Sequence, residues 1–332
     1  MANKIKDTDY LAISARIKAM ETGLLTRERM EQVLEARNEE EAVKILQECG
    51  YPELNASSPE AMDAALSAAR EATLSDVLDG APDPRYIDIF KLKYDYHNIK
   101  ALLKAQAMNV SPDSMLMDMG RVPAAELKDA LLAGRLEELP EGLAAAAAEA
   151  KEVLDSTRDP QLSDIVLDRW CYREMAAVAE ATGSEFLAGY VKIQIDAANL
   201  RALVRTLRMG KSGDFLKTVL LEDGGISAEA VAAAGNSGAL AEVYGPTALQ
   251  AAAEAGAEAL RGGPLTAFEK LCDDAVGDYL AGAQFVPFGE APLLGYLAAR
   301  ETEYTNIRIL LMGRGAGLPA DVIRSRLRNG YV

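Results

Sequence analysis

The sequence carries one histidine, His97, in 332 residues. That leaves no basis for His–Cys metal sites or for a histidine-based nucleophilic triad. Cysteines number three, Cys49, Cys171 and Cys272; odd in count and far apart, they follow the usage of a reducing compartment. Aromatics make up 6% of the chain, with a single tryptophan, and no run alternates Val, Ile and Thr as a strand would. The most uniform apolar stretch, residues 143–148, is six residues and mostly alanine, far short of the roughly 20 that a spanning helix needs. The start, Met1 through Asp9, is polar and lacks the apolar centre of a signal peptide. Basic charge is short as well: the formal net charge is −16, which argues against nucleic acid and against adhesion to anionic lipid. No Gly-x-x-x-x-Gly-Lys-Ser/Thr occurs, so no P-loop is expected. A cytoplasmic, all-α protein is the expectation.

What is present is a repeated phrase. Asp95-Tyr96-His97-Asn98-Ile99-Lys100-Ala101-Leu102-Leu103-Lys104 returns as Asp196-Ala197-Ala198-Asn199-Leu200-Arg201-Ala202-Leu203-Val204-Arg205. It returns again as Glu303-Tyr304-Thr305-Asn306-Ile307-Arg308-Ile309-Leu310-Leu311-Met312. The acid recurs after 101 and then 107 residues, a period of one small domain. On a helical wheel Asp95, Asn98, Ile99, Leu102, Leu103 and Gln106 share one face, so an acid and an asparagine sit on an apolar stripe. A buried amide left unpaired costs roughly 1 to 3 kcal/mol, and the asparagine is expected to fix register by bonding a neighbouring backbone. The base of each phrase (Lys100, Arg201, Arg308) lies about 140° round the helix from the acid and is expected to face another element or solvent. The repeat structural residues are therefore Asp95, Asn98, Asp196, Asn199, Glu303 and Asn306. The units are expected at 1–110, 111–212 and 213–332.

Matched helix starts frame the phrases: Leu25-Thr26, Val122-Pro123, Ile226-Ser227 and Leu318-Pro319, each followed by an acid in the first turn. Thr26 is a plausible N-cap, and Ser58-Pro59 opens another helix. The alanines of 144–148 need no explanation beyond helix propensity. Trp170 and the segment Gln284-Phe285-Val286-Pro287-Phe288-Gly289 are expected to fill core.

Two stretches resemble chemistry and fail its requirements. Asp273-Asp274-Ala275-Val276-Gly277-Asp278 resembles an Mg²⁺-diphosphate signature of prenyl diphosphate enzymes, but the third acid falls one place late and no second cluster faces it. A solvated helix face is expected there. Gly313-Arg314-Gly315-Ala316-Gly317 follows a helix where a dinucleotide loop must follow a strand, so it reads as a helix C-terminus. No catalytic, cofactor-binding or metal-binding residue is expected. From Gly295 onward six arginines oppose three acids, and this locally basic end reads as helix C-termini complemented by arginine or as a docking site for an acidic partner.

These residues also carry a resemblance. Ala15-Arg16-Ile17, Leu92-Lys93-Tyr94-Asp95-Tyr96-His97-Asn98-Ile99-Lys100, and the ending from Glu303-Tyr304-Thr305-Asn306-Ile307-Arg308 to Ile323-Arg324-Ser325-Arg326-Leu327-Arg328 resemble the C subunit of V-type/A-type ATPases, equivalent to the d subunit of the eukaryotic enzyme. The resemblance implies three similar helical domains in a pseudo-threefold, funnel-like arrangement. It implies a non-catalytic member of the central stalk, peripheral on the cytoplasmic face, whose partners are the D and F shaft subunits and the membrane rotor ring of c/K proteolipid. It would transmit torque for ion transport, without a cofactor. Candidate contacts are His97, Lys104, Arg324, Arg326 and Arg328. A helical scaffold or adaptor with no rotary role is the alternative from another class.

Overall fold

The computed structural model describes residues 5–55, 58–237 and 239–332. The first four positions of the polar N-terminus lie outside them. Among the described residues every regular element is helical. In chain order these are α1 (Leu11–Glu21), α2 (Arg27–Glu35), α3 (Glu39–Glu48), α4 (Pro59–Leu78), α5 (Arg85–Met108), α6 (Ala124–Ala133), α7 (Glu141–Thr157) and α8 (Pro160–Thr182). They continue as α9 (Glu185–Arg208), α10 (Gly213–Val219), α11 (Ala228–Ser237), α12 (Leu240–Tyr244), α13 (Gln250–Leu260), α14 (Leu265–Ala281), α15 (Ala291–Gly315) and α16 (Ala320–Arg324). The three phrases fall on α5, α9 and α15.

Local chemistry sets the boundaries. Thr26, Asn38, Ser58, Asp159 and Ser212 each accept a backbone N–H of the first turn that follows, worth about 1 kcal/mol apiece. Pro59 and Pro160 occupy the first helical position, where no N–H is required. Helix α8 stops at Gly183, whose φ of 69° is left-handed, a conformation that costs glycine little.

The chain divides into two compact units. One comprises Met1–Pro84, Leu203–Lys211 and Ala233–Val332; the other comprises Arg85–Ala202 and Ser212–Ala232. In the first, α2, α3 and α4 pack on α15 through Val33, Leu46, Met62, Ile307 and Leu310, all fully buried. Each such side chain removed from water stabilises the fold by about 1.5 to 3 kcal/mol. The segments that meet here come from the two ends of the sequence. In the second, α5 and α7 both lie on α8, and α6 lies on α5. The alanine run has a packing role beyond propensity: Ala146, Ala147 and Ala150 are buried in α7, and the backbone comes near enough for Ser163 Oγ of α8 to donate to Ala150 O at 2.9 Å.

Two packing expectations are overturned. Phe285 is 82% and Phe288 40% exposed, so neither plugs the core. The backbone around them is tied instead, by Lys18 Nζ to Gln284 O at 2.9 Å and Ser14 Oγ to Gly289 O at 3.5 Å, and the rings project from that anchored turn. Trp170 is only half-buried. Its Nε1 donates to Glu149 at 2.7 Å and the Arg173 guanidinium stands 5.3 Å from its ring centroid, which places it at the rim of the α7–α8 contact.

Candidate functional site: paired acid and asparagine clamps

Each phrase helix holds a piece of irregular chain with two side chains one turn apart. Asn98 is fully buried on α5; its Nδ2 donates to Met117 O at 2.8 Å and its Oδ1 accepts from Met117 N at 2.9 Å. Asn199 on α9 does the same to Leu221, at 2.8 Å for both bonds. Asn306 on α15 does it to Arg328, at 3.1 and 2.8 Å. A primary amide is the one neutral side chain that presents donor and acceptor in the spacing of a peptide unit, so each asparagine acts as a backbone partner for one residue outside the helices.

The acids hold the helix starts. Asp95 accepts from Arg121 N at 2.9 Å and Val122 N at 3.2 Å, and from Arg121 Nε at 2.8 Å. Asp196 accepts from Gly225 N at 3.2 Å and Ile226 N at 3.0 Å. Glu303 accepts from Leu25 N, from the Tyr51 hydroxyl at 2.5 Å and from Arg300 Nη1 at 2.8 Å. Three of the four matched helix starts are thus bound by a phrase acid. The fourth is not: Leu318 N donates to Gly313 O at 2.9 Å, closing the end of α15.

A glycine stands two places before each bound aliphatic: Gly120, Gly224 and Gly23. A Cβ on Gly120 would come within 2.1 Å of Asp95 Oδ1, and one on Gly224 within 2.4 Å of Asp196 Oδ1. Aspartate is short, so the backbone must approach it closely and only glycine fits. A Cβ on Gly23 meets nothing nearer than its own turn, Met20 O at 3.5 Å. Glutamate is one methylene longer and reaches across a wider gap.

Burial raises the pKa of Asp95, Asp196 and Glu303 above the ordinary carboxylate value, against the N–H groups that favour the charged form. Asp95 and Glu303 also have Arg121 and Arg300 at hand; Asp196 has two backbone amides and the more distant Lys192. Burial alone would depress Arg121, but Glu174 and Asp95 raise its pKa. Arg121 Nη1 meets Glu174 at 2.7 Å, and Tyr96 donates to the same carboxylate at 2.8 Å. The asparagines and acids of these clamps hold backbone groups, which is structural chemistry.

The other residues singled out in the sequence take separate places. His97 is exposed, its Nε2 3.0 Å from Met115 O. Lys104 pairs with Asp164 and Lys100 with Asp168, both at 2.5 Å, while Arg308 pairs with Asp63 at 2.7 Å. Arg324 grips Glu31 with two nitrogens at 2.8 Å each, and Arg328 meets Asp273 at 2.7 Å. Arg326 is exposed. Arg314 donates to the carbonyls of Leu34 at 2.5 Å and Ala36 at 2.7 Å, satisfying groups that the end of α2 leaves open. Much of the basic ending is therefore consumed within the chain.

The acidic run of α14 is exposed as expected at Asp273 and Asp278 but not at Asp274. Asp274 is 5% exposed, is ion-paired with Lys270 and accepts from Asn329 N at 2.8 Å. Asp278 accepts from the Asn329 side chain at 3.3 Å. The run is a dock for residues 328–329, because its one-turn spacing presents several acceptors along one edge of the helix. Sequence reasoning missed both this dock and the acid-to-start pairing. The glycine two residues before each aliphatic was the available signal for the latter.

Residues 13–326 match the family model described as ATP synthase (C/AC39) subunit. The chain belongs to that family. It is similar to the C subunit of the V-type sodium ATPase of Enterococcus hirae, at 25% identity over 97% of this chain and 99% of that protein. It is similar also to the C subunit of the A-type ATP synthase of Methanocaldococcus jannaschii, at 24% identity over 96% and 86%, and to that of Haloquadratum walsbyi, at 28% over 94% and 96%. The C/AC39 family is a non-catalytic part of the ATPase complex. No helix among the described residues is long and apolar enough to cross a membrane.

Proposed function

We propose that the chain is the central-stalk coupler of a V-type/A-type rotary ATPase, seated at the cytoplasmic face on the membrane rotor ring and joined to the D and F shaft subunits. On this reading it transmits torque between shaft and ring during ion transport. Its three repeat units, about 1–110, 111–212 and 213–332 along the sequence, are three similar domains in a pseudo-threefold, funnel-like arrangement. What supports this is the order of the clamps: the α5 phrase holds the Val122 start, the α9 phrase holds the Ile226 start, and the α15 phrase holds the Leu25 start. That order is cyclic, as a threefold body requires.

A torque-bearing wall must resist sliding of one element along another. Apolar contacts are non-directional and permit slip, whereas a two-bond amide clamp admits one register. Asn98, Asn199 and Asn306 supply that restraint. His97 and Arg326, exposed at their sites, and Lys104, Arg324 and Arg328, already paired within the chain, are the residues offered to partners.

The test is reconstitution with purified D and F subunits and a lipid-embedded ring. The coupler binds both and restores ATP-driven ion transport; a chain that binds neither refutes the reading and leaves a scaffold outside the rotor. Replacing all three asparagines with leucine is expected to lower the ratio of ions moved to ATP hydrolysed, and unchanged coupling would remove the register argument.

A further inference from the structure

Three junctions share one plan and differ in one connection. In each, an asparagine clamps a residue outside the helices, and an acid one turn earlier on the same helix clamps the start of another helical segment. In the first two the chain runs directly from clamped residue to clamped start: Met117 to Val122, and Leu221 to Ile226, five residues each. In the third the clamped residue is Arg328 but the start is Leu25, which lies 278 positions before Glu303. No forward peptide link joins them.

The tail is held by contacts of other kinds. Arg328 pairs with Asp273, Asn329 N donates to Asp274 at 2.8 Å, and Tyr331 OH donates to Glu21 at 3.1 Å. A cavity of about 470 Å³ lies at the junction, lined from the start side by Arg27, Met30 and Glu31 and from the tail side by Leu327, Gly330 and Val332. The tail thus forms one wall of a cleft that is open to solvent. Its main ion pair is half open to water, with side-chain exposures of 20% and 43%, and such pairs are weakened by salt.

We infer that the third junction is a seam, at which the C-terminal strap and the Leu25 start release together in one local opening while the other two junctions stay closed. Opening there separates two segments that are far apart along the chain, so it gains the entropy that a five-residue link denies to the others. The inference concerns the isolated chain and stands independently of the coupling role proposed above.

Native-state hydrogen exchange on the full chain tests it, because each clamp protects named amides. After correction for intrinsic rates, Leu25 and Arg328 are expected to share one opening rate, at least about tenfold faster than Met117, Val122, Leu221 and Ile226. Raising salt to about 1 M should accelerate those two alone. Protection of Leu25 and Arg328 equal to that of Leu221 and Ile226 overturns the seam. So does a frayed Arg328 beside a still-protected Leu25, since the two must open as a unit. The double variant Arg328→Ala/Asn329→Ala should speed exchange at Leu25 about tenfold and leave Leu221 unchanged; a Leu25 amide that does not respond also overturns it. If that variant fails to fold, the salt series on the natural sequence decides.

Discussion

The aspartate clamps and the glutamate clamp solve one problem with opposite geometries. Asp95 and Asp196 bring the backbone in and demand glycine at 120 and 224; Glu303 reaches out to Leu25 and recruits Tyr51 and Arg300 to hold its longer arm. Where a short link follows, close approach costs little because the chain is already nearby. Where the bound start comes from the far end of the sequence, a longer acid with extra side-chain partners replaces covalent proximity.

The largest test of that contrast is steric. Gly120→Ala and Gly224→Ala place a methyl within 2.1 and 2.4 Å of a buried carboxylate oxygen, and each is expected to cost about 2 to 4 kcal/mol in urea denaturation, because backbone or acid must move and clamp bonds are lost. Gly23→Ala meets only Met20 O at 3.5 Å and is expected within about 0.5 kcal/mol of the natural protein. Equal losses at all three positions would erase the distinction between short and long acids.

Next come the asparagines. Asn199→Leu strands the N–H and C=O of Leu221, a residue 6% exposed, and should cost about 2 to 3 kcal/mol. Asn306→Leu strands the same groups of Arg328, which is only half-buried, so water can serve them and the cost falls to about 1 kcal/mol. Thermal or urea melts of the two variants give the comparison, and an Asn306→Leu loss as large as that of Asn199→Leu would mean the tail is as dry as the internal linker.

How much of this was legible beforehand follows from what each signal encodes. The apolar period of three phrases placed α5, α9 and α15, and the presence of Asn98 on that stripe implied a buried amide needing a partner. Nothing in that period names the partner, because Met117, Leu221 and Arg328 contribute backbone groups that any residue possesses. The cyclic order was equally hidden: Leu25 and Glu303 are joined by a contact that no local pattern reports. Phe285 misled for a related reason, since composition makes a phenylalanine apolar but only the anchored turn of Gln284 and Gly289 decides which way it points. Asp274 misled because a carboxylate one turn from Asp278 can bind a docked irregular segment as readily as it faces water.

A smaller effect separates the clamps by charge. The folded-state pKa of Asp196 is raised by burial, so the native state binds its proton more tightly than the unfolded chain does. The contribution of this group to stability therefore falls as pH rises from the ordinary carboxylate value through the raised one. Asp196→Asn removes that component, and the difference in urea midpoint between natural protein and variant should change as pH rises above the ordinary carboxylate value of about 4. Parallel curves would show that the two amides at Gly225 and Ile226 fully offset burial.

The smallest effect lies at the strap. Arg328→Ala removes an ion pair whose partners are partly open to solvent, and should cost about 0.5 kcal/mol at low salt and less at about 1 M. The pair of Arg121 with Asp95 provides the contrast, because Asp95 is fully buried and counterions cannot reach it. The loss on Arg121→Ala should accordingly be less sensitive to salt, since of its two ion pairs only the one with Glu174, 22% exposed, is open to counterions. Both series can be read from urea midpoints in the same buffers. An Arg121 loss as salt-dependent as that of Arg328, or a salt-independent Arg328, would reverse the assignment of dry clamp and wet strap, and with it the reason for expecting the third junction to open first.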